Sequence, residues 1–121
     1  MQLLLCTLLT LLFWSAGIFG LFNFSAVVAE VRAIGLPHAR LTAAATIALQ
    51  LGASMLVISN YAQLGWVGAV ALAVFTLLTI PFGHAFWTFD GARQTAELHI
   101  ALEHLSLAGG LLLAAYYLKH A

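Results

Sequence analysis

Four apolar stretches, at about residues 3–22, 41–59, 64–86 and 97–118, take up most of this chain and leave few ways for it to fold. A bilayer core about 30 Å thick takes about 20 helical residues, and each stretch approaches or exceeds that length. The alternative, a water-soluble fold, needs a polar surface. Soluble domains are about one quarter charged, whereas here 7% of residues are charged, 64% are hydrophobic and mean hydropathy is +1.06. Too little charge remains to clothe a surface facing water, so the sequence predicts an all-α integral membrane four-helix bundle. Residues 1–121 then form a single transmembrane domain with both termini on the same side. Four Lys/Arg balance four Asp/Glu, which removes the basic footprint that nucleic-acid binding requires; the lipid bilayer is the implied partner.

Met1 to Phe24 contains no Lys or Arg. It therefore lacks the charged start of a signal peptide and reads as a retained membrane helix over Leu3 to Phe22. Thr7, Thr10, Trp14 and Gly17 recur at helical spacing and predict a face of small or mildly polar groups that meets other helices. Cys6 is the only cysteine, which excludes an intrachain disulfide, a Cys-x-x-Cys pair and a multi-thiolate metal site. In Asn23 to Arg40, Ser25 to Ile34 predicts a short interfacial helix between helices one and two, with Ser25 as N-cap and Gly35 as the stop before Pro37.

In the second span Thr42, Thr46, Gln50 and Ser54 fall four apart and predict a polar line turned toward protein, since a buried amide seeks partners on other helices. Asn60 to Gly65 is a tight turn, with Tyr61 and Trp66 at headgroup level. In the third span Pro81 removes a backbone donor near the end. Asp90-Gly91 marks the turn into the fourth span, and Tyr116, Tyr117 and Lys119 mark its far end. The longer loops hold Arg32, Arg40 and Arg93 against Lys119 on the termini side, which predicts cytoplasmic long loops. Gly17 and Gly20, or Gly109 and Gly110, offer close helix contact compatible with a homo-oligomer.

The scarce ionisable groups gather at one junction. Pro81 to Trp87 closes the third run and Glu97 to His104 opens the fourth, on the same membrane side. Ionisable groups at such depth are costly and point to function by default. The candidate ligand-binding pocket comprises His84, Phe86, Trp87, His99, Glu103, His104 and Gln50; the catalytic residues are not identified. His99 and Glu103 stand one helical turn apart, close enough to hydrogen bond. Three readings stay open. In the first, Glu103, His104, Arg93 and His84 pair with one another and pin the helix ends, making the protein a scaffold or a small-molecule permeation protein. In the second, a quinone ring bonds to His84 or His104 and packs on Phe86 and Trp87. In the third and weakest, His84 and His104 ligate haem or another metal. No phosphate loop or nucleophile elbow is present.

The chain resembles the DoxX family of small four-helix bacterial membrane proteins over roughly Leu11 to Leu118. The resemblance rests on Gly35-Leu36-Pro37, on His84-Ala85-Phe86-Trp87, and on the run Glu103-His104-Leu105-Ser106-Leu107-Ala108-Gly109-Gly110-Leu111-Leu112. It implies a bacterial inner-membrane (plasma-membrane) protein associated with redox systems, with a membrane or soluble redox partner; some relatives are subunits of thiosulfate:quinone oxidoreductases. Where the family commonly has Glu in helix two this chain has Gln50, which does not titrate. Where it tends to have Lys-Asn ahead of the last Gly-Gly, Glu103-His104 stands here.

Overall fold

The first apolar run does not form one straight helix. In the computed structural model, which describes residues 1–120, it divides into α1 (Gln2–Leu9) and α2 (Leu11–Phe22), bent by 58° at Thr10. Thr10 Oγ1 donates to the Cys6 carbonyl at 2.7 Å, and the backbone N–H of Phe13 turns to the Thr10 carbonyl at 2.9 Å. Hydroxyl back-bonding of this kind often bends helices. The Trp14 indole N–H donates to the Thr7 carbonyl at 3.1 Å, supplying a donor at the break where the helical ladder is disrupted.

Four further helices follow: α3 (Phe24–Ala33), α4 (Ala39–Ser59), α5 (Gly65–Gly83) and α6 (Gly91–His120), with short 3-10 turns at Tyr61–Gln63 and Phe86–Thr88. No strand occurs among the described residues. By length and composition α4, α5 and α6 can each cross a membrane, and the bent α1–α2 pair makes a fourth span if counted as one. The expected unbroken span over 3–22 is thus replaced by a bent pair. The last helix starts earlier than the expected residue 97, at Gly91, whose φ of +59° suits glycine.

α3 falls where the sequence predicts a short helix, but its N-cap is Asn23 rather than Ser25. Asn23 also closes α2, because its Nδ2 donates back to the Phe19 carbonyl at 3.0 Å. The other end is a Schellman motif: Gly35 takes φ +79°, its N–H reaches the Arg32 carbonyl, and the Leu36 N–H reaches Val31. Val28 and Val31 are buried with Ala43 of α4, and Leu36 packs against them, so α3 is tied to the bundle by a small apolar cluster of its own.

The main core joins Phe13, Val57, Leu72 and Leu111 from α2, α4, α5 and α6, and α5 packs against both α4 and α6. Close approach depends on glycine at few positions. A Cβ on Gly68 would lie 2.6 Å from the Ala53 backbone oxygen, and one on Gly17 or Gly20 would strike Leu51 or Ile47 of α4. Gly52 and Gly109, by contrast, face open space. Outside this core large apolar side chains point outward, Leu41 at 71% exposure and Leu113 at 70%. Such a surface is at rest in hydrocarbon and not in water.

Candidate functional site

The site is built where α5 ends. Pro81 lies in the last turn, and the His84 N–H closes the helix onto Thr79 and Ile80 at 3.1 and 2.9 Å. The chain then reverses through the Phe86–Thr88 turn, secured by Thr88 Oγ1 donating to the Ala85 carbonyl at 2.7 Å. α6 therefore returns alongside α5. Its residues Glu97 and His104 are two turns apart and share a face, and that face meets His84. Buried Ala101 lies between them on α6.

His84 Nδ1 lies 2.8 Å from Glu97 Oε2, with the two side chains 28% and 16% exposed. The His84 and His104 rings touch at a tilt, their centroids 4.9 Å apart. His104 Nδ1 lies 2.8 Å from the Ile100 carbonyl; since a carbonyl only accepts, that nitrogen carries the hydrogen. Opposite a carboxylate, His84 Nδ1 is likewise the donor. Acid, imidazole and imidazole thus form a chain of contacts along one edge of the α5–α6 seam.

Both imidazoles open onto a cavity of about 880 Å³. Most of its wall is apolar, from Leu12 and Phe13 of α2, Val27 and Val31 of α3, Phe75, Leu78 and Phe82 of α5, and Ile100 of α6. Phe13 and Phe75 meet edge to face at 6.4 Å. Polar groups are few: Glu30, the hydroxyls of Thr42, Thr46, Thr76 and Thr79, the Gln50 amide, and the two histidines. A large, mainly apolar space with a few converging polar groups is the usual form of a site for a small organic molecule.

Of the residues singled out from sequence, His84, His104 and Gln50 come together at this cavity. Phe86 and Trp87 pack edge to face on one another at 5.2 Å and lie outside its lining, with Trp87 exposed. His99 and Glu103 are exposed on α6, and among the described residues no hydrogen bond joins them. They sit off the His84-facing side of α6 because each residue turns the helix by about 100°. Arg93 lies over the Phe89 ring at 4.2 Å. Sequence spacing favoured the His99/Glu103 pair; the acid that meets His84 is Glu97. Its signal in the sequence was the seven-residue step to His104, with Ala101 midway. Glu30 was also missed as a lining residue, having only the look of a connector charge. Among the described residues no group of three or more His, Cys, Asp or Glu is arranged to hold a metal ion.

Fold and site together define a helical membrane protein with a polar-tipped, partly open cavity. The DoxX family model matches residues 1–85, more than half of the chain, and the protein belongs to the DoxX family. The match ends one residue past His84, so α6, with Glu97 and His104, lies beyond it, and its extent differs from the expected Leu11 to Leu118. No curated protein and no solved structure matches the chain.

Proposed function

We propose that this protein is a multi-pass inner-membrane subunit that holds a lipid-soluble quinone-class ring beneath His84 and His104, in association with a redox partner. One observation carries the reading: two contacting imidazoles, one backed by Glu97, open onto an apolar cavity of about 880 Å³. That volume lies within the range of about 300–1,000 Å³ common for small-ligand sites. It accommodates a substituted ring and the start of its tail. Aromatic Phe13 and Phe75 give the ring faces to pack on, and Gln50 supplies a polar contact across the cavity from α4.

In this reading the chain crosses the bilayer four times as a single domain, α3 lies at the interface, and the arginine-bearing loops are cytoplasmic. Met1 and Tyr117 border one apolar groove, which supports termini on a common side. Electron transfer belongs to the partner, and the chain's own part is to bind and orient the ring. The test is extraction of the purified protein for bound quinone, followed by the same measurement on His84→Ala and His104→Ala. Co-purifying quinone that is lost in both variants supports the proposal. Unchanged lipid content with only lowered thermal stability supports a scaffold, in which the His84–Glu97 contact merely pins α5 to α6.

A further inference from the structure

Apart from the Gln50 amide, the cavity's polar side chains have a common sign, legible from where their hydrogens already go. Thr46 Oγ1 donates to the Thr42 carbonyl at 2.9 Å, Thr76 Oγ1 to Leu72 at 2.7 Å, and Thr79 Oγ1 to Thr76 at 2.7 Å. A hydroxyl has one hydrogen and two lone pairs, so these threonines, their hydrogens engaged, can only accept from a ligand. The histidines behave alike. With Nδ1–H directed at the Ile100 carbonyl in His104 and at the Glu97 carboxylate in His84, each ring in its neutral form keeps a bare lone pair on Nε2.

Neither Nε2 has a protein partner among the described residues. Ser54 Oγ is the one buried, unpartnered side-chain nitrogen or oxygen among them, so both Nε2 atoms are open to an approaching molecule. Gln50 is the lining side chain with hydrogens still to give.

We infer that the cavity selects a ring bearing hydroxyl hydrogens, a quinol or phenol, over the corresponding dione; the inference rests on the ring-binding reading above and names the form that is held. A dione brings carbonyl lone pairs against imidazole and threonine lone pairs, leaving acceptors unpaired on both sides. A quinol brings two hydroxyl hydrogens and a phenol one, each able to pair with one of these acceptors. Glu97 is then a positioning residue: it holds the hydrogen of His84 on Nδ1 and so keeps Nε2 an acceptor.

The experiment compares duroquinol with duroquinone, whose fully substituted ring does not alkylate Cys6, binding to the protein in nanodiscs under anaerobic conditions. Duroquinol is expected to bind at least about tenfold more tightly, equivalent to about 1.4 kcal/mol. In Glu97→Ala the His84 hydrogen is free to move to Nε2, and the ratio falls severalfold, through weaker duroquinol binding with duroquinone binding kept or tightened. A merely structural role for Glu97 would weaken both probes equally and overturn its assignment. Equal affinities in the unmodified protein, or tighter duroquinone, overturn the selectivity and leave ring binding standing. Binding of neither probe overturns both. The unmodified protein's ratio decides the matter even if the variant fails to fold.

Discussion

Gly68→Ala tests how closely α5 is seated on α4. The added Cβ would stand 2.6 Å from the Ala53 carbonyl oxygen and 3.0 Å from Leu56 Cβ. The first of these atoms is backbone, so no rotamer change relieves the clash and the two helices must separate by several tenths of an ångström. Overpacking of this kind costs about 1–3 kcal/mol. Alanine returns up to about 1 kcal/mol through its better helix propensity, leaving a net loss of about 1–2 kcal/mol. Gly52→Ala is the control, since its Cβ meets nothing within 4 Å and only the propensity gain applies. Unfolding free energies measured in bicelles should separate the two variants by about 2 kcal/mol. Equal effects, or a stabilised Gly68→Ala protein, would refute the seating of α5 on α4 described above.

Asn60 holds φ +49° and accepts the Gly65 N–H on Oδ1 at 2.9 Å; Asn60→Ala should cost about 1–2 kcal/mol and Asn60→Asp distinctly less, measured in the same unfolding assay. Glu97→Ala removes a partly screened, charge-assisted hydrogen bond and should cost about 1–2 kcal/mol, whereas exposed Glu103→Ala should stay within about 0.5 kcal/mol. The reverse order would place the acidic partner of His84 wrongly. Trp14→Phe deprives the Thr7 carbonyl of its indole donor at the bend and should lower stability by about 1 kcal/mol. Gln50→Leu is expected to leave thermal stability equal or higher, through loss of an unpaired amide, while reducing retained quinone; a large stability loss would mean that Gln50 is a structural bond across helices.

The rough extent of the three long helices, α4, α5 and α6, was legible because their signal is length and apolarity, which the bilayer makes nearly sufficient. The interior line Thr42, Thr46, Gln50 and Ser54 was legible for a related reason: polar side chains in such a chain turn toward protein, and all four are half-buried or buried. The bend at Thr10 was not legible, since many threonines bond back along straight helices and only packing tells which of them accompanies a break. Gly35 announced a stop, and the Schellman geometry follows from it. Gly52 and Gly68 look alike in sequence; which of them touches a neighbour depends on how α4 and α5 are rotated, a property of the assembled bundle. Glu97 was passed over because an acid and a histidine one turn apart on a single helix, Glu103 and His99, are conspicuous. A partner thirteen residues away across a reversal becomes visible only once the Phe86–Thr88 turn fixes the return angle of α6.

α5 and α6 lie side by side but differ in reach. With 19 residues, α5 is about 28 Å long, close to the thickness of a hydrocarbon slab; α6, with 30 residues, extends about 45 Å. Lys119 lies over Trp66 at the start of α5, so the two helices are level at that end and the surplus of α6 projects past the other, where Arg93 stands. His84 follows the last turn of the shorter rod, level with Glu97 and His104 of the longer one, where the overhang begins. If the cavity holds a ring as proposed, a ring dissolved in the membrane and a proton from the adjoining aqueous phase would meet at the same pair of imidazoles.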